Sequence, residues 1–329
     1  MAEQRVAATV TARDGVSRSR RSALLNSDSV FRGITCLAAL AVLAVAALTV
    51  VTLFVNSRDA FSAYGWSFLS SDVWDPNIKL VFGAQSYIFG TVVTAVVALI
   101  MAGVVGIGIA LLLVEVPLPG WFRTPVAFLV ELLAAIPSVV FGVWGIFVLI
   151  PIMQRQVDPF LVSTFGRLPF FPVDAGGGHS ILTASLVIGA MIVPTVAAIS
   201  RDVIRVVPSS QREAMLALGA TRWEMIWRVV LPYARPGIIG ALILAMGRAV
   251  GETIAATMII GNSNYIGPNL LHSGDTLASK IAANLGEAGG NELAALFELG
   301  LILMVVSVIL NVLARLLVWT VSHGSAQVA

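Results

Sequence analysis

Six stretches of this chain are almost wholly apolar and long enough to cross a membrane: 34–55, 88–114, 126–153, 181–199, 238–260 and 296–321. A hydrocarbon layer about 30 Å thick takes roughly 20 apolar residues per helix. With 58% hydrophobic and 12% charged residues over 329 positions, the chain carries more apolar surface than one water-excluding core can hide. Hydrocarbon offers no partner to an open backbone, so each stretch must close its own hydrogen bonds as a helix. The strict apolar/polar alternation of a barrel strand is absent from all six. The expected fold is an all-α polytopic membrane protein with six transmembrane helices.

The first stretch follows an Arg-rich preface, but its apolar run far exceeds the roughly 7–15 residues of a signal-peptide core, so it reads as a retained anchor. The single cysteine, Cys36, lies within it, which leaves no disulfide framework and no thiol pair for metal or redox work. Alternating six spans from a cytoplasmic N-terminus gathers Arg5, Arg13, Arg18, Arg20, Arg21, Arg32, Arg123, Arg201, Arg205, Arg212, Arg222, Arg228, Arg235 and Arg315 inside. Only Arg58, Lys79, Arg155, Arg167 and Lys280 remain outside. That asymmetry puts both termini in the cytoplasm. Basic loops beside anionic lipid account for the charge, since no soluble basic domain is present for nucleic acid. The expected organisation is a flexible basic tail over 1–33, a six-helix membrane domain over 34–323 with a cytoplasmic loop at about 200–237, and a short tail over 324–329. The outer connections 56–87, 154–180 and 261–295 either meet a partner or merely cap the bundle, and 276–282 reads as a short surface or re-entrant helix.

The loop before the fifth span is punctuated as two short helices. Ser210 with Glu213 reads as a capping box, Gly219 as the residue past a helix end, Thr221 with Glu224 as a second capping box, and Pro232 as the stop. Gly219 tolerates the positive φ that such a reversal requires. Trp223, Ile226, Trp227 and Val230 recur at helical spacing and form one apolar stripe. The stripe is either a helix that docks in the groove of a cytosolic protein, tryptophan being enriched at binding hot spots, or a helix lying flat on the bilayer with Arg222 and Arg228 on lipid phosphates.

Both lysines, Lys79 and Lys280, lack a following Ser or Thr, so the chain holds no phosphate-cradling P-loop. Any ATP-driven work needs a separate ATPase. Ionisable groups within the apolar stretches cost about 2.5–3.5 kcal/mol each at mid-bilayer on insertion scales. Arg248 and Glu252, four apart, share a helical face and are expected to pair, flanked by the small-residue strip of Gly247 and Gly251. Arg248 is either an anion contact on a translocation path, its planar fork matching phosphate oxygens, or half of a structural staple. Glu131 is a candidate for the same path or for a headgroup contact. Pro137 and Pro194 are expected to kink their helices.

The run Glu213-Ala214-Met215, then Gly219, then Val229-Val230-Leu231-Pro232 resembles the EAA signature of binding-protein-dependent ABC importer permeases, departing from it at Met215 and Val229. Three segments, 135–145, 213–232 and 247–262, resemble the PstC-type permease subunits of bacterial phosphate-specific importers, and the likeness runs from about Phe31 onward. The resemblance implies a type I importer permease fold in a bacterial inner or plasma membrane. It implies four kinds of partner: a homologous PstA-type permease, two PstB-type ATPases that hold ATP and Mg, a PstS-type phosphate-binding protein outside, and membrane lipid. The substrate it implies is inorganic phosphate. It assigns Glu213, Ala214, Gly219, Trp223, Ile226, Trp227, Leu231 and Pro232 to ATPase coupling. A permease for molybdate or sulfate, an ion-driven secondary transporter, and a non-conducting sensor are the rival readings. The second lacks internal repeats and leaves the EAA segment unexplained.

Overall fold

The computed structural model describes residues 2–78, 80–171 and 177–325, with side chains from 29 to 316 of these; Lys79, 326–329 and the side chains of Arg5, Arg13, Arg18, Arg20 and Arg21 lie outside the described residues. Six helices among the described residues have the length and composition to cross a membrane: Ser29–Asn56, Gln85–Glu115, Ser138–Phe165, Ile181–Arg205, Arg222–Val250 and Gly290–Leu316. The chain is a multi-pass membrane protein. It divides into two compact units, Met1–Val55 and Asn56–Ala329.

The first unit is helix α1, Ala2–Asn56. The flexible tail expected over 1–33 is therefore helical in its backbone from Ala2. No proline interrupts this segment, and Ala, Arg and Leu, which lose little entropy in a helix, recur along it.

The second unit opens with α2 (Arg58–Tyr64), α3 (Ser67–Ser70) and a two-stranded hairpin, β1 (Trp74–Asp75) against β2 (Val81–Phe82), antiparallel with Trp74 opposite Phe82. Helix α4 (Gln85–Glu115) and helix α9 (Ile181–Arg205) form the centre. Ala95, Ala98 and Ala102 pack on Ile188, Ile192 and Val196, and Gly106 stands so close to Val196 that a Cβ would sit 2.8 Å from it. Small residues let helix backbones approach in hydrocarbon, where close packing replaces the hydrophobic effect as the attractive term. Helix α9 continues through Pro194, which is buried.

The third span begins later than the sequence suggested. Helix α5 (Gly120–Ala135) ends before Ile136, and Pro137, with φ −61 and ψ 144, is the N-cap of helix α6 (Ser138–Trp144). Pro137 separates two helices and does not kink one, because the ring disfavours helical geometry in the residue before it. The span then runs to Phe165 through π1 (Gly145–Leu149), α7 (Ile150–Ile152), π2 (Met153–Val157) and α8 (Asp158–Phe165).

The fourth to sixth spans are joined by α10 (Ser209–Ala217), α11 (Arg222–Met225), π3 (Ile226–Val230), α12 (Leu231–Val250), α13 (Ile254–Ile259) and α14 (Leu277–Asn284), followed by α15 (Gly290–Ser325). Each π turn ends two residues before a proline: Pro151, Pro159 and Pro232. A proline has no N–H for the carbonyl four residues back and its ring crowds that carbonyl. Widening the preceding turn by one residue lets the helix run on.

At the end of the unit away from α10, α14 is buried at its first turn. Leu277, Ala278 and Ser279 are covered, and Thr276 with Ser279 closes a capping box. The Leu277 N–H donates to Thr91 Oγ1 at 2.9 Å, and Gly90 leaves no room for a Cβ against the Asp275 carbonyl. Asp275 accepts from the Ser279 hydroxyl. Lys280 Nζ lies 5.0 Å from the Trp74 ring centroid and 5.6 Å from that of Tyr87, a cation–π arrangement. Burial pushes the Asp275 carboxyl up to about 6, against the Ser279 hydroxyl, Lys280 and the Thr276 N–H, which pull it down. Burial draws the Lys280 ammonium below its ordinary range, opposed by Asp275 and Glu292.

Candidate coupling site

Helix α10 begins after Pro208, with no side-chain cap. The expected box of Ser210 and Glu213 does not form, since Ser210 lies inside the helix and the N-cap position falls to Pro208. No residue of α10 is buried, so Glu213 and Ala214 stand at a free surface together with Leu218, which is 84% exposed. The helix closes as a Schellman motif: Ala220 N–H donates to Met215 O at 3.3 Å and Gly219 N–H to Leu216 O at 3.0 Å. Gly219 has φ +84, while a Cβ there would meet nothing within 4 Å. Glycine is required by the backbone angle, not by crowding.

Beyond the turn, Thr221 and Glu224 form the capping box expected: Thr221 N–H donates to Glu224 Oε2 at 2.9 Å and Glu224 N–H to Thr221 Oγ1 at 3.3 Å. Pro232 does not stop this helix. The segment Arg222–Val250 is one continuous span, and π3 absorbs the proline.

The apolar stripe divides. Trp223 and Trp227 are 66% and 55% exposed, with ring centroids 5.5 Å apart and edge-on. Ile226 and Val230 are buried with Met225, Ala110, Ile204, Val207, Ala234 and Ile238, and Leu231 is partly buried against that cluster. Ile226, Val230 and Leu231 therefore seat the helix-turn-helix on the ends of α4 and α9, and Ile226 and Leu231 also border the groove lined by Trp223 and Trp227. The tryptophans line an apolar groove of about 880 Å³ that continues along α4 past Val104 and Leu112.

One side chain that sequence reasoning treated only as a topology marker ties α10 to this seat. Arg212 Nη2 lies 2.8 Å from Glu115 Oε1, Nη1 donates to Val207 O at 2.6 Å, and Nη2 donates to Ile204 O at 2.8 Å. Glu115, the last residue of α4, is 5% exposed at its side chain and Arg212 19%. A signal was present: a carboxylate at a helix C-terminus opposes the helix dipole and demands a cation.

The candidates for a translocation path are not brought together. Helix α12 ends at Val250 with Gly251 as its C-cap, so Arg248 and Glu252 do not share a helix, and no ion pair joins them among the described residues. Arg248, exposed in this chain, donates from Nη1 to Thr195 Oγ1 at 3.4 Å. Glu252 accepts from the Ala255 N–H at 3.4 Å. Gly251 serves as a cap and not as part of a close-approach strip, whereas Gly247 faces Asn311 of α15. Glu131 of α5 pairs with Arg201 of α9 at 3.4 Å.

Residues 102–322 match the family described as binding-protein-dependent transport system inner membrane component. Among similar proteins, the phosphate transport system permease protein PstC of Pasteurella multocida is 40% identical over 303 residues, covering 91% of this chain and 94% of its own length. PstC of Haemophilus influenzae is 39% identical and covers 88% and 93%. A probable PstC of Methanocaldococcus jannaschii is 33% identical over 88% and 93%. A solved inward-facing MetNI methionine ABC transporter has the same fold, with TM-score 0.54 at 18% identity over 76% of this chain and 99% of that one. The likeness to these relatives runs along nearly the whole length of both chains, and the chain belongs to the family of PstC phosphate transport permeases within the binding-protein-dependent inner membrane components.

Proposed function

We propose that this chain is one of two permease subunits of an ATP-driven importer of inorganic phosphate, working with a homologous second permease, a pair of ATPases and an extracytoplasmic phosphate-binding protein. Both termini and the helix-turn-helix face the cytoplasm, as the arginine asymmetry favours. ATP and Mg belong to the partner ATPase, because this chain contributes a docking surface and no P-loop. The observation that carries the reading is α10, a helix with no buried residue, closed by a Schellman turn at Gly219. A surface helix whose outer side, with Glu213 and Ala214, is exposed suits helix-in-groove recognition. Glu213, Ala214 and Gly219 form the docking surface.

The groove that continues from α4 to Trp223 and Trp227 favours the bilayer over the ATPase as the neighbour of the two indoles, since aromatic side chains anchor membrane helices at the headgroup level. Arg248, exposed at membrane depth and held by a single long hydrogen bond, is the side chain suited to an oxyanion on a path shared with the second permease.

The test is reconstitution of the complete transporter in vesicles loaded with ATP and Mg, with the cytoplasmic face inward. The expected result is ATP-dependent accumulation of labelled phosphate that excess sulfate or molybdate leaves unchanged. Accumulation of either competitor in preference to phosphate would assign the chain to another oxyanion.

A further inference from the structure

We infer that Arg212 and Glu115 form the strut that transmits movement of the docked helix α10 to the membrane spans; this rests on the coupling function proposed above. The geometry has three parts. Arg212 stands on α10 one position before the docking residue Glu213, yet its guanidinium points inward, away from the exposed surface. There it meets the carboxylate that ends α4 at 2.8 Å and the carbonyls of Ile204, in the last turn of α9, and Val207, just past its C-cap, at 2.8 and 2.6 Å. A single side chain therefore gathers the ends of two spans and the docking helix.

Local preference opposes this placement. Arg212 lies in the first turn of α10, where the helix dipole disfavours a cation, and Glu115 lies in the last turn of α4, where it disfavours an anion. Each is stabilised by the other, and Arg212 also by the Ile204 and Val207 carbonyls to which it donates, not by its own helix. A buried ion pair adds little net stability compared with apolar packing, but breaking one leaves an uncompensated charge, so such a pair resists any geometry in which the partners separate. Apolar contact of Met225, Ile226 and Val230 with Ala110 and Ile204 holds the second arm to the same seat. The helix-turn-helix thus moves as a rigid foot with α4, α9 and α12, and Gly219 is its fixed corner and not a hinge.

The experiment uses the complete transporter reconstituted with ATPases and phosphate-binding protein, and compares Glu115→Gln, Arg212→Gln and the double variant. The readouts are ATPase co-purification, ATP turnover, and phosphate accumulated per ATP hydrolysed. The expected result is normal co-purification, turnover within about twofold of the parent, and accumulation per ATP reduced at least tenfold in each single variant, the double being no worse. Arg212→Lys, which keeps the charge but has no fork to span carboxylate and carbonyls, is expected to fall between and guards against loss through misfolding. Unchanged accumulation per ATP overturns the inference. So does loss of ATPase binding in step with uptake, which would make the pair a structural support of α10 alone. Leu218→Asp, on the exposed end of α10, should release the ATPase; retention there would overturn the coupling reading itself, whatever the Glu115 variants do.

Discussion

Gly219 and Asp275 show how single residues set the behaviour of the two ends of the unit. At φ +84, Gly219 occupies a region that costs an L-residue about 1–2 kcal/mol, and a β-branched side chain is the poorest fit. Gly219→Val should leave membrane insertion intact and reduce recovery of the ATPase about tenfold, as measured by co-purification; recovery at parental levels would show that the turn geometry is dispensable. At the other end, the Asp275 carboxyl is raised from 3.8 to about 6 by burial. A carboxyl raised on folding binds its proton more tightly in the folded state, so its contribution is complete below about pH 4 and is lost as pH rises through 6. The thermal midpoint in detergent should therefore rise between pH 7.5 and 4.5, and Asp275→Asn should flatten that rise. An identical pH profile in the variant would contradict the assignment.

At the scale of the element, the three π turns carry the helix through Pro151, Pro159 and Pro232. Removing the cause should remove the effect: in Pro232→Ala the restored N–H lets 226–230 tighten to an α-turn, which rotates everything before it by roughly 100° relative to α12. Trp223 and Trp227 would then leave the α4 groove, and their emission should lose its quenching by brominated acyl chains; undiminished quenching would mean that π3 has another origin. Long apolar runs, the two capping residues Thr221 and Glu224, and the turn at Gly219 were legible in the sequence because each is decided by neighbours a few positions away. The starts and ends of the third and fifth spans were not, because apolar residues hide whether a helix is continuous, broken at Pro137 or Gly251, or widened before Pro232. The same local view paired Arg248 with Glu252 on a helix that ends between them.

Across the whole molecule, the unit Asn56–Ala329 is organised around α4 and α9, with a foot at one end and a polar, aromatic cap at the other. Composition was enough to see a membrane fold and spacing enough to see the foot. What tethers the foot was not legible, since Arg212 and Glu115 are 97 residues apart and meet only when two spans and a surface helix come together. Likewise Glu131 finds Arg201 and Lys280 finds Trp74 and Tyr87 through tertiary packing alone. Coupling of ATP hydrolysis to transport depends on α10 being the surface that the ATPase grips. Its most direct test is cross-linking from Leu218→Cys in a background with Cys36→Ser, within the assembled transporter. The prediction is a cross-link to the ATPase whose yield changes with nucleotide, while impermeant thiol reagents added outside intact cells leave the cysteine unmodified. Labelling from outside, or transport at parental rates with no cross-link to the ATPase, would contradict it.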